Sequence, residues 1–133
     1  MKKKAVELTE AEWAIIKAVW NGEPCTAPAV QERLQKETQW AYSTVRTLMD
    51  RMVAKGLLAA EKIGHLTHYR SAVTERQAQH GELLYALKHA FNGALSPMVQ
   101  SLLETGPLST GDLAELESLI KAKKKGVRKE FRP

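Results

Sequence analysis

Between Leu8 and Gly56 the apolar residues fall into three runs with helical spacing. Trp13, Ile16, Val19 and Trp20 form the first stripe. Thr9 stands at its capping position, Glu12 can close a capping box with it, Leu8 can staple onto Trp13, and Asn21-Gly22 ends the run. A second helix is expected from after Thr26 to about Thr38, with Val30 and Leu34 turned inward. Pro28 falls in its first turn, where a missing N–H does little harm. The third run, Tyr42 to Leu57, carries the most information. Val45, Leu48, Met49 and Met52 recur at i, i+3, i+4 and i+7, which is one buried helix face. Ser43, Thr47, Asp50 and Ala54 fall on the opposite side, flanked by Arg46 and by Arg51 with Thr44. Gly56 suits the position just past the helix end.

The period changes at Leu57. Leu58, Ala60 and Lys62 alternate before Gly64-His65; Leu66, His68 and Arg70 alternate after it, with Tyr69 on the other face. This is the pattern of a two-stranded hairpin, and three helices followed by a basic hairpin is the order of a winged helix. Helical spacing then returns. Thr74-Glu75-Arg76-Gln77 is a capping box ahead of a long stripe of Leu84, Leu87, Phe91 and Leu95. Ser96-Pro97 predicts a cap followed by proline at the first helical position of a short segment containing Met98, Leu102 and Leu103. Thr105-Gly106-Pro107 breaks it, and Leu108 to Leu113 repeats the staple-and-cap device ahead of Leu113, Leu116, Leu119 and Ile120. The expected fold is therefore mainly α: an N-terminal winged helix-turn-helix (three helices plus a β-hairpin wing) over residues 5–73, a helical region over 74–120, and a disordered basic tail over 121–133. The C-terminal stripes exceed what a small winged helix can cover, so they are expected to pack against a second copy rather than fold back.

Charge sharpens this picture. The chain of 133 residues carries a net charge of +5, unevenly placed. Lys2, Lys3 and Lys4 contribute +3, residues 121–133 contribute +6, and the body between them is −4. Within that acidic body, Arg33 to Arg70 is locally +4. Basic character at both ends and around the third helix is the footprint of a chain that neutralises phosphates, although basic tails also serve solubility alone. Met-Lys-Lys-Lys resembles the start of a signal peptide, but Glu7, Glu10 and Glu12 interrupt the segment that would be its apolar core. No apolar run approaches the roughly 20 residues of a membrane span, so no membrane association is expected. With a single cysteine, Cys25, neither an intrachain disulfide nor a thiolate metal cluster can form, which fits a cytoplasmic setting.

Catalytic chemistry finds little support. His65 and His68 sit three apart, on opposite faces of an extended strand, with no second ligand pair, so no metal is expected. Cys25 has no nearby histidine and reads as a small apolar residue. The eight glycines are scattered and form no phosphate loop, so no cofactor is expected.

Five segments, in order, resemble the penicillinase-repressor family of bacterial transcription regulators (BlaI/MecI/CopY type). Glu12-Trp13 with Val19-Trp20 is similar to the family's first helix. Thr44 to Leu48, then Arg51 and Lys55-Gly56-Leu57, is its most specific signature. His68-Tyr69 resembles the wing strand, Phe91-Asn92-Gly93 the aromatic-then-glycine step of the dimerisation region, and Leu108-Ser109 with Asp112-Leu113 and Leu116 the final helix. The resemblance spans about Leu8 to Ile120 and implies a homodimeric repressor with a C-terminal helical dimerisation region. It also implies regulation, and there the chain departs from the pattern. The β-lactam-responsive members are cleaved at an Asn-Phe bond; aligned without gaps, the possible cleavage position falls at Ser101-Leu102, so the scissile pair is missing. The cysteine cluster of the copper-responsive members is missing too, since lysines occupy the tail.

The expected function is a transcriptional repressor binding double-stranded operator DNA as a homodimer, with an unidentified sensor or protease as a further partner. The expected DNA-binding residues are Tyr42, Ser43, Thr44, Arg46, Thr47, Arg51 and Lys55 on the third helix, with Lys62, His65, His68 and Arg70 on the hairpin. Dimerisation is expected to use Leu84, Leu87, Phe91, Leu113, Leu116, Leu119 and Ile120. Arginine can fork onto guanine and hydroxyls can reach any base; Arg46 and Arg51 can equally grip phosphates, or pair on the surface with Asp50 or Glu37. Two other classes stay open: a winged helix that binds protein only, or one that binds RNA. The first would favour an aromatic face, the second exposed stacking aromatics in a sheet.

Overall fold

The computed structural model describes residues 6–130, with side chains through residue 126. The basic cluster Lys2–Lys4, Arg132, and the side chains of Arg128 and Lys129 lie outside that description. The elements run α1 (Glu10–Trp20), α2 (Ala27–Thr38), α3 (Tyr42–Ala54), β1 (Leu58–Ile63), β2 (Leu66–Ser71), α4 (Glu75–Phe91), α5 (Leu95–Thr105) and α6 (Thr110–Glu130). The chain divides into two units, residues 1–90 and 91–133.

The first unit is a winged helix. α1 starts on a complete capping box: the Glu12 N–H donates to Thr9 Oγ1 (3.2 Å) and the Thr9 N–H to Glu12 Oε1 (2.9 Å). Its buried face is wider than the predicted stripe. Ile15 joins Ile16 and Val19 at full burial, while Trp13 and Trp20 are half-buried, because α2, α3 and β2 all pack on this helix. The two indole rings meet edge to face, 6.3 Å between centroids. α2 starts behind Thr26, whose hydroxyl accepts from the Ala29 N–H, with proline in the first turn. It ends at Gln39 in a left-handed conformation (φ 54°), and the three residues Gln39–Ala41 form the turn to α3.

The hairpin pairs in the antiparallel register Ile63↔Leu66 through Leu58↔Ser71. Gly64, with φ 64°, opens the two-residue turn, the position that favours glycine in a type II′ hairpin. The wing is fastened at its other end by the α1–α2 connection. Cys25 and Tyr69 exchange both backbone hydrogen bonds (3.1 and 2.7 Å), and Trp20 Nε1 donates to Ser71 Oγ (2.8 Å). Val30, Val45, Met49, Met52, Leu58 and Tyr69 complete the core between helices and wing.

The unit boundary differs from the expected break at residue 73/74, because α4 belongs with the winged helix. Thr74 and Gln77 form the predicted capping box (2.8 and 3.0 Å). The packing residues, however, are Ala78 and Gly81 rather than the leucine stripe. A Cβ added at Gly81 would run into the Val6 carbonyl, so the absence of a side chain is what lets α4 lie against the segment ahead of α1. Leu84 remains 54% exposed, and Leu87 and Phe91 half-buried.

The second unit holds α5 and α6. α5 begins at Leu95, two residues before Pro97, and its cap is Ala94 rather than Ser96. Asn92 and Gly93, both at positive φ (52° and 82°), turn the chain out of α4 and allow this earlier start. Pro97 remains within the first turn, where N–H groups have no intrahelical acceptor. Ser109 and Asp112 cap α6 reciprocally (3.0 and 3.1 Å). α6 continues to Glu130, where a disordered tail was expected after Ile120. Lysine, alanine and arginine are good helix formers, and cations near a helix C-terminus suit its dipole. No residue of α5 is buried, nor any described side chain of α6.

Candidate nucleic-acid interface

α3 is held by Val45, Met49 and Met52, all fully buried. That anchoring sends Ser43, Thr44, Thr47 and Arg51 to solvent, where they line one shallow concavity with Leu48. Leu48 was expected inside but is half-buried, supplying an apolar floor to this polar depression. Tyr42 is exposed, and the N-cap, Ala41, offers no side-chain oxygen to the first turn. The unsatisfied N–H groups of such a helix start favour anions.

Arg46 is half-exposed and ordered by its neighbours. Its Nε donates to Asp50 Oδ2 (3.1 Å) and Oδ1 (3.4 Å), and its Nη1 to the Tyr42 hydroxyl (3.4 Å). The surface ion pair weighed for Arg46 is thus formed, with Asp50 as partner. Hydrogen bonds to Tyr42 and Asp50 hold its guanidinium above the ordinary arginine pKa. Arg51 has no carboxylate partner among the described residues. Asp50 is itself held from inside the fold: the hydroxyl of fully buried Tyr69 donates to Oδ1 at 2.9 Å. Burial, then that hydrogen bond, pushes the Tyr69 phenol up to about 12. Asp50 was weighed only as a surface ion-pair partner and Tyr69 only as a wing-strand residue; neither was read as part of this site. The i, i+4 spacing of Arg46 and Asp50 was the available signal for one; nothing local predicts that a strand tyrosine reaches across to α3.

Lys55 stands apart from the hydroxyl face. Its ammonium lies 2.7 Å from Glu12 Oε2, in an ion pair between the end of α3 and the start of α1. Glu12 is only 4% exposed. Burial pushes its carboxyl up, but Lys55 and the Thr9 N–H outweigh that and hold it below its ordinary pKa. Arg33 is likewise engaged, donating to the carbonyls of Ala18 (2.9 Å) and Gly22 (3.1 Å). Two of the cations in the basic stretch therefore serve the fold.

The pleat separates the wing residues. Lys62 opposes Thr67 and shares a face with Tyr69; His68 opposes Glu61 and shares the other face with Arg70. His65 sits at the exposed tip. His68 is half-buried, and its Nδ1 is sealed from solvent without a hydrogen-bond partner. Cys25 is 5% exposed, and burial pushes its thiol pKa up, which suits a packing residue. Among the described residues no three His, Cys, Asp or Glu side chains cluster as metal ligands, and no helix is long and apolar enough to cross a membrane.

The family model described as penicillinase repressor matches residues 8–122. The chain belongs to the penicillinase repressor family. Its similarity to the methicillin resistance regulatory protein MecI of Staphylococcus aureus (strain N315) is 25% identity over 123 residues, covering 92% of this chain and all of that one. The penicillinase repressor of Bacillus licheniformis is 27% identical over 122 residues, 92% of this chain and 95% of its own. Among solved structures, the monomeric form of Bacillus licheniformis BlaI in complex with the blaP half-operator aligns at a TM-score of 0.49 and 26% identity. That alignment covers 57% of this chain and 93% of the other.

Proposed function

We propose that this chain is a sequence-specific transcriptional repressor that occupies a palindromic operator as a homodimer, with α3 in the major groove. The observation that carries this reading is the α3 surface: hydroxyls and guanidinium groups face solvent on a helix fixed by its buried methionines and valine, in a winged helix of this family. Ser43, Thr44, Thr47 and Arg51 are placed to meet bases or the phosphates at the groove edge, Arg46 and Tyr42 to read beside them, and the wing to follow the backbone. Lys62 with His65 forms the stronger wing contact, since His68 is partly sealed. Lys55 contributes to the fold first.

The second copy is supported by the uncovered apolar residues: Leu95, Leu102, Leu119 and Ile120 are each more than half exposed. Apolar faces of that extent on successive helices suit association with themselves. A two-fold dimer would then meet two half-sites about one helical turn apart, and bound over a promoter it would exclude polymerase.

The test measures affinity for a selected operator and for random duplex. Arg46→Ala is expected to lower the operator preference about tenfold or more, the worth of one good bidentate base contact. Lys123→Ala is expected to weaken both duplexes alike, if it changes either. Equal losses on both duplexes for Arg46→Ala would remove base reading by that residue. A wild-type chain without preference for any duplex would remove the repressor reading.

A further inference from the structure

We propose that Asp50 and Tyr69 are positioning residues for base reading by Arg46, so that Asp50, a negative charge on the DNA-facing helix, determines specificity. This rests on the proposed operator-binding role of α3.

Consider what the guanidinium has left to give. Arginine carries five N–H donors in a rigid fork. Nε–H is engaged by Asp50, and one Nη1 donor by the Tyr42 hydroxyl. The Nη1–Nη2 edge keeps three donors, enough for the two-point contact with guanine O6 and N7. Asp50 cannot swing freely with Arg46, because Tyr69 holds its Oδ1. Tyr69 in turn cannot move, since its ring is fully buried and its backbone is bonded in both directions to Cys25. A chain of constraints thus runs from the core to the outermost donors of α3. The phenol keeps its proton far above neutral pH, so it remains a donor to the carboxylate. Arg46 therefore loses its rotamer freedom on folding rather than on binding, which favours affinity for the matching site.

Charge supplies the second argument. A carboxylate, 54% exposed, beside a phosphate-bearing ligand lowers affinity for every duplex, whatever its sequence. A surface built only to grip phosphate would bind better without it. The acid is explained if it orients the arginine and so raises discrimination at the expense of general affinity.

The experiment selects binders to the full-length chain from a duplex library with a randomised core. Selected duplexes and random duplex are then titrated with wild type, Arg46→Ala, Asp50→Asn, Tyr69→Phe and the Arg46→Ala/Asp50→Asn double variant. One base position is expected to lose its preference in Arg46→Ala. At that position Asp50→Asn and Tyr69→Phe should each cut discrimination about tenfold, toward the loss of a bidentate contact. Asp50→Asn, with one negative charge fewer, should bind random duplex more tightly; Tyr69→Phe should not. The double variant should discriminate at that position no less than Arg46→Ala alone. A general packing defect would instead weaken all positions together, and thermal melting identifies it. Asp50 is on the surface, so Asp50→Asn decides the matter if Tyr69→Phe does not fold. Discrimination within twofold of wild type in the folded variants overturns this proposal while leaving the repressor reading intact. A wild type without any base preference overturns both.

Discussion

The two ends of the Glu12–Lys55 ion pair are not equivalent, and that asymmetry gives a quantitative test. Glu12 is 4% exposed, whereas the Lys55 side chain is 57% exposed. In Lys55→Met the carboxylate stays inside with the Thr9 N–H as its remaining donor, at 2.9 Å. In Glu12→Gln the ammonium is left where water reaches it, and the amide oxygen can still accept from Thr9. Removing one partner of a fully buried pair costs about 3–5 kcal/mol. Because water can enter where Lys55 stood, about 2 kcal/mol is the appropriate scale for Lys55→Met after discounting for exposure. Glu12→Gln exchanges a charge-assisted bond for a weaker one and should cost about 1 kcal/mol. Urea unfolding followed by tryptophan fluorescence suits the measurement, because all three tryptophans lie in the first unit. The pH dependence is a second check. The folded Glu12 pKa is lowered, so its stabilisation is fully present above the ordinary carboxylate pKa and is lost as pH falls through the folded value. Wild type and Glu12→Gln should therefore converge in acid. The reasoning fails if Glu12→Gln costs as much as Lys55→Met at neutral pH, or if the gap between wild type and Glu12→Gln persists unchanged in acid.

Two further outcomes are expected. Gly81→Ala gains about 1 kcal/mol of helix propensity but forces a methyl into the Val6 carbonyl, and overpacking of that kind costs about 1–3 kcal/mol. Its melting temperature should fall, and a rise would mean that α4 does not lie on that segment. The paired substitution Leu119→Glu with Ile120→Glu should convert a dimer into a monomer in sedimentation equilibrium while leaving tryptophan-detected unfolding of the winged helix in place. Retention of the dimer mass would exclude this face of α6 from the interface.

The capping boxes at Thr9, Thr74 and Ser109, the hairpin turn at Gly64 and the buried side of α3 were legible because each depends on residues within a few positions of one another. Most of what was misjudged depends on contacts across the chain. The leucine stripe, not Gly81, was the expected packing of α4, and the missing side chain at Gly81 is explained only by the backbone of Val6. Ser96-Pro97 matched a helix start, yet the positive-φ pair Asn92-Gly93 had already released the chain two residues earlier. Lys55 counted as a free cation because its partner lies 43 residues away. Strand alternation put Tyr69 on the face opposite His68 and Arg70, but it says nothing of which face is inward or where a phenol hydroxyl ends. The outer face of α3 was readable as chemistry; the ordering of Arg46 within it required the fold.

The pairing of Cys25 with the wing strand gives the molecule a built-in gauge. The thiol is the only one in the chain, it is sheltered, and its neighbour's main-chain bonds keep it so. Alkylating reagents should reach it only when the hairpin peels from the helices, so the labelling rate counts those excursions directly. Bound DNA that clamps the hairpin would slow the labelling, and no engineered probe is needed to watch it happen.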